Sequence, residues 1–151
     1  MTIRRLPQLW LKLTLLEERP HLPEFSFLVR PSGTEFYSLT SAHSIALEPP
    51  TGIASEIIAR GNRQSSQQAL DNLAPVLQRI FSETRMKEAA VTAKGLRLIW
   101  QAAEGARGQH LIFRQCQFDN AAVDSTAFAK LLSALDDLSL SLDCTHKAEA
   151  A

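Results

Sequence analysis

Two β-type runs separated by a glycine-containing interval constrain this chain more than any other feature. Residues 94–101 read Lys-Gly-Leu-Arg-Leu-Ile-Trp-Gln, and residues 110–118 read His-Leu-Ile-Phe-Arg-Gln-Cys-Gln-Phe. Gly105 and Gly108 lie between them, and glycine supplies the positive backbone dihedrals that tight reversals need. The pattern predicts a hairpin. Leu96, Leu98 and Trp100 share one face of its first strand, and Arg97, Ile99 and Gln101 share the other, because side chains alternate along a strand. In the return strand Leu111 and Phe113 oppose Ile112, Arg114 and Cys116. One apolar face and one mixed face imply a sheet packed on helices on one side and partly covered on the other.

The sequence before the hairpin divides into strands and then helices. Leu9, Leu11, Leu13 and Leu15 alternate with Trp10, Lys12, Thr14 and Leu16. A period of two argues for a strand over 8–18, although Leu6, Trp10, Leu13 and Leu16 would also form a helical stripe. Residues 24–30 predict a strand, Pro31-Ser32-Gly33-Thr34 a turn, residues 35–40 a second strand, and 43–47 a third. Together these make an antiparallel meander. Pro49-Pro50-Thr51-Gly52 breaks it. Ile53, Ile57 and Ile58 suggest a short helix over 53–60. Ser65 and Gln68 have the spacing of a capping box. The stripe Leu70, Leu73, Leu77, Ile80 and Phe81 then predicts an amphipathic helix to about Arg85. Pro75 lies inside it, where it removes a hydrogen bond and clashes one turn back. The helix is therefore kinked, or one turn ends near Asn72 and the main helix starts at Pro75. Asp124, Ser125 and Thr126 offer N-caps for a last helix with the stripe Phe128, Leu131, Leu132, Leu135 and Leu138.

The expected architecture is α+β: an antiparallel sheet of about five strands, a meander and then a hairpin, packed against two main helices. With 151 residues, 45% of them hydrophobic, one domain over 1–144 and a flexible tail over 145–151 are expected. Lys+Arg and Asp+Glu both total 16, which argues against a strongly basic nucleic-acid binder. Charge is uneven along the chain. From Asp119 to Asp143 the five aspartates Asp119, Asp124, Asp136, Asp137 and Asp143 face Lys130 alone, whereas residues 60–97 are mainly basic. Such runs are solvated helix faces or a polarised surface for a charged partner or self-association. No apolar stretch approaches the length of a membrane helix, and the opening lacks the pattern of a signal peptide. Two cysteines without a Cys-x-x-Cys fit a reduced, cytoplasmic setting.

Catalytic motifs are absent from the sequence. His21, His43, His110 and His146 lack metal-ligand spacing. The Gly105-x-x-Gly108 interval fits a turn better than a nucleotide clamp. His110 and Cys116 on one extended strand would sit ~20 Å apart, too far for a nucleophile and its base. Asp136 and Asp137 are helix neighbours about 100° apart and cannot act as a dyad. No cofactor or metal is implied, and an enzyme is less favoured than a binding protein.

The order of a helix over 65–85, two strands with Gly95-Leu96-Arg97-Leu98-Ile99-Trp100 and His110-Leu111-Ile112-Phe113, and a last helix from Asp124 to Leu135 resembles the end of class I type III secretion chaperones. The meander at 24–47 is compatible with that family. The resemblance implies a small cytoplasmic homodimer, without catalytic activity, that holds a partly unfolded segment of a secreted protein partner on apolar surface. By the same analogy Leu73, Leu77, Ile80, Leu98 and Trp100 become candidate dimer or partner contacts, against their ordinary role as core. The alternatives are a small ligand-binding or enzymatic domain with a pocket between sheet and helices, and a structural subunit of a larger assembly.

Overall fold

The computed structural model describes residues 8–29, 42–53, 56–104 and 123–150. Its centre is a set of inward-pointing aromatic and aliphatic side chains on alternating strand positions. Phe25 and Phe27 on β2 (Phe25–Val29) stand opposite Val91 and Ala89 on β5 (Met86–Thr92). Val91 and Ala89 in turn stand opposite Leu96 and Leu98 on β6 (Gly95–Glu104). β1 (Gln8–Leu16) continues the row with Leu15, Leu13 and Leu11 against Leu96, Leu98 and Trp100. On the other side of β2 come β4 (Ile57–Gly61) and β3 (Ile45–Leu47). The sheet order is β1-β6-β5-β2-β4-β3, and every neighbouring pair is antiparallel.

Three helices cover the face that carries Phe25 and Phe27. α1 (Ser66–Asn72) and α2 (Ala74–Ile80) contribute Leu70, Val76, Leu77 and Ile80, with Leu73 between them. α3 (Ser125–Ala150) contributes Leu131, Leu135, Leu138 and Leu142. All of these belong to one buried cluster with the inward strand residues. Phe81, just past α2, lays its ring 4.6 Å from that of Phe27.

The fold class is therefore α+β with an antiparallel sheet, as expected, but the described residues hold six strands and three helices. The alternation over 8–18 does form a strand, β1, with Leu9, Leu11, Leu13 and Leu15 half-buried against the core and Lys12 and Thr14 exposed. Pro75 separates two helices, the second of the two outcomes foreseen for it, and α2 ends at Ile80 rather than near Arg85. Asp124 caps α3, its Oδ1 accepting the Ala127 N–H at 2.7 Å. α3 then runs through 145–150, where fraying was expected.

Several expectations are corrected. Residues 57–61 are a strand, not a helix: Ile57 and Ile58 are β-branched, stiff side chains suited to a pleated surface, and β4 pairs with both β2 and β3. β4 thus separates β2 from β3, so the two do not form a simple meander; the strand expected over 35–40 lies outside the described residues. The capping box does not form. Ser65 makes no side-chain cap bond, and buried Ser66 instead donates its hydroxyl to the Glu24 carbonyl at 2.8 Å. The hairpin of β6 is made with β5, through the two residues Ala93 and Lys94. β6 has β1 on its other side, and the return strand expected over 110–118 lies outside the described residues.

Gly95 makes that junction possible. Its φ is +152°, and a Cβ built there would sit 1.9 Å from the Leu15 carbonyl oxygen. The chain leaving β1 then binds the hairpin turn, with the Glu17 N–H on the Lys94 carbonyl at 3.1 Å and the Arg19 N–H on the Ala93 carbonyl at 2.8 Å. Gly95→Ala should cost about 3 kcal/mol or more, since a backbone atom must move and the dihedral is strained. Gly52→Ala should cost only ~1 kcal/mol, because its φ is +88° but the nearest atom to an added Cβ is the flexible Gln78 side chain at 3.4 Å. Urea denaturation of the two variants measures the contrast.

Candidate functional site

A cleft of about 430 Å³ opens between α2 and α3 over the ends of β5 and β6. Its floor is apolar, made by Ile80, Met86, Trp100 and Leu131, and its rim carries Arg79, Glu83, Lys130 and Asp137. Each part follows from local structure. Trp100 takes the inward position of β6 after Leu96 and Leu98, at the point where α2 has ended and no longer covers the strand. The Arg85 guanidinium lies 5.7 Å from its ring centroid, within cation–π range. The last turn of α2 places Arg79 3.4 Å from Asp137 of α3, which ties the two helices across the rim. Partial burial draws the Lys87 ammonium below the ordinary lysine range, and Glu83 pulls it back upward.

The five residues selected from the sequence separate here. Ile80 and Trp100 line the cleft, although Trp100 is only 7% exposed. Leu73, Leu77 and Leu98 are enclosed in the core and reach no surface. All five belong to the buried cluster, and two of them line the cleft. The exposed large apolar side chains are different ones: Leu16, Val123, Phe128, Leu132 and Leu140.

The opposite face of the sheet holds polar groups that sequence reading missed. Ser26, Glu88, Ala90 and Ile99 are buried there, apart from the main cluster. Glu88 is fully enclosed and pairs with Arg97 in a close ion contact. Beside Ser26 in space, though seventeen residues on in sequence, His43 is also buried; its Nδ1 is 3.2 Å from Ser26 Oγ and its Nε2 is 3.6 Å from Glu24 Oε2. The order serine–histidine–carboxylate is that of a hydrolytic triad. The environment is not: Ser26 is wholly enclosed in the middle of β2, paired with β4 and β5 on both sides. Glu24 is occupied in holding structure, its Oε1 accepting the Ala93 N–H at 2.8 Å. Glu24 thereby fixes the hairpin turn against the start of β2. The only sequence signal of these groups is a polar residue at an alternate position of an apolar strand.

Among the described residues no group of three or more His, Cys, Asp and Glu side chains could hold a metal ion. His21 and His146 are exposed; His110 and Cys116 lie outside the described residues. Asp136 and Asp137 diverge, as expected, with Asp137 turned to Arg79 across the cleft. No described helix is long and apolar enough to cross a membrane.

The buried pair has a measurable consequence. Arg97→Met takes a close counter-charge away from a fully buried carboxylate and should destabilise by about 1–3 kcal/mol. Lys12→Met, at an exposed position on β1, should change stability by ~0.5 kcal/mol or less. Thermal and urea unfolding of both variants compares them. No family model, no curated protein and no solved structure gives a significant match to this chain.

Proposed function

We propose that this chain is a non-enzymatic, chaperone-like binding domain that works as a homodimer in the cytoplasm and holds a segment of a protein partner on apolar helix or sheet surface. The observation that carries the reading is on α3. Phe128 and Leu132 are 41% and 42% exposed one helical turn apart, and Leu140 is 63% exposed further along. A single exposed leucine is unremarkable, but several on one helix are a docking signal. Among the described residues β1 stands at one end of the sheet order, and an extended segment can add to such a strand. The element order also supports a likeness to class I type III secretion chaperones: β2, β3 and β4, then the α1–α2 pair, a two-stranded hairpin and a last helix. The dimer and partner contacts fall to exposed side chains, since Leu73, Leu77 and Leu98 are enclosed.

A second reading draws on the cleft. Its volume of about 430 Å³ falls in the range of small-ligand sites, and its apolar floor with a few polar groups at the rim suits one.

Two measurements separate the readings. Light scattering should give the mass of a dimer. The purified chain should suppress aggregation of a reduced, unfolded model protein, and Phe128→Ser/Leu132→Ser should abolish that suppression with an unchanged circular dichroism spectrum. A monomer without holding activity, in which an apolar dye quenches Trp100 fluorescence, would replace the first reading with the second.

A further inference from the structure

The partner surface on α3 has a charge as well as an apolar character. At about 100° per residue, Phe128, Leu132, Asp136, Ser139, Leu140 and Asp143 fall on one side of the helix. This side flanks the buried stripe of Leu131, Leu135, Leu138 and Leu142. Asp136 is exposed and makes no ion pair among the described residues. Asp143 lies 3.2 Å from the Arg19 guanidinium, but Glu17 lies 2.8 Å from the same nitrogen. Two carboxylates thus share one mostly buried cation, so the face from Phe128 to Asp143 keeps a negative excess, which Lys147 on the same side offsets only beyond Asp143. Lys130, the basic residue of this part of α3, is turned into the cleft on the other side. Lys147, one turn beyond Asp143, marks the end of the acidic stretch.

We infer that this face binds an amphipathic, basic segment of another protein, a helix whose apolar side chains cover Phe128, Leu132 and Leu140 and whose lysines or arginines meet Asp136 and Asp143. The inference rests on the proposed protein-binding function and names the chemistry of its partner. A second copy of the chain fits less well, because pairing α3 with itself sets two acidic rows against each other, and like charges across an interface are costly. An apolar stripe flanked by acid selects instead for an apolar stripe flanked by base.

The probe is a fluorescently labelled, helix-forming peptide about five turns long, with leucines on one face and lysines beside them; its control has glutamates in place of the lysines. Anisotropy with the full chain should show binding of the lysine peptide, weakened by added salt, and binding of the glutamate peptide about tenfold weaker or absent. Leu132→Ser and Asp136→Lys should each weaken the lysine peptide about tenfold. Both positions are exposed, and unchanged thermal unfolding shows that each variant is folded. The inference is overturned if the two peptides bind equally, or if neither substitution alters binding. It is also overturned if Leu132→Ser splits a dimer of the chain itself, which would make this face a self-interface. The aggregation assay on the unaltered chain reads the underlying function separately. If the chain holds unfolded protein but fails the peptide tests, only this inference falls; if it holds none, the binding function itself fails.

Discussion

The close backbone approach of Leu15 to Gly95 is the constraint on which the sheet depends. β6 is bonded to β5 through a two-residue turn and to β1 along its whole length. The turn is fixed from two sides. Glu17 and Arg19 bind its carbonyls from the β1 side, and the Glu24 carboxylate takes the Ala93 N–H from the β2 side. Arg19 extends the same junction to α3 through Ser139, whose Oγ accepts from Nη2 at 2.8 Å. One small turn thus couples two distant strands, the hairpin and the last helix. A side chain at position 95 would push against a main-chain oxygen, which cannot move aside as a flexible side chain can.

What the sequence could reveal followed from how many faces each element buries. β1 was legible because its inward face is a row of leucines, Leu9, Leu11, Leu13 and Leu15, that alternates with half-buried Trp10 and with exposed Lys12, Thr14 and Leu16. β5 was not, because Glu88, Ala89, Ala90 and Val91 are buried on both faces and the period of two disappears. Its alanines, lysine and glutamate are also poor strand formers, so only pairing with β2 and β6 makes it a strand. β4 was misread for a related reason. Three isoleucines near 53–58 fit a helical stripe as well as a strand, and the decision came from neighbours distant in sequence. The α1–α2 pair was legible because a proline inside a strong leucine stripe leaves few outcomes.

The candidate site was less legible than the fold. A stripe such as Leu73, Leu77 and Ile80 looks the same whether it faces a core or a partner. Burial, which decides between them, depends on what lies across from the helix. Trp100 was singled out by the family analogy, and it does reach the cleft while staying largely buried. Phe128 and Leu132 were counted as part of the inward stripe of α3. The stripe is narrower than it looked, since Leu131, Leu135, Leu138 and Leu142 fill it and push Phe128 and Leu132 to its margin. The Glu88–Arg97 pair had no local signal at all, as its partners meet only through the register of β5 and β6.

The pairing of β1 with β6 sets an order of events during synthesis. The partners of Gln8–Leu16 lie roughly eighty to a hundred residues further along the chain, from Gly95 to Glu104. At ~5–20 residues per second, a ribosome needs on the order of 5–20 s to supply them after β1 is made. For that interval the four inward leucines of β1, Leu9, Leu11, Leu13 and Leu15, lack their β6 partners. Lys12, exposed between Leu11 and Leu13, puts a charge in the middle of that strand, and such a charge disfavours pairing of unpaired apolar strands between chains.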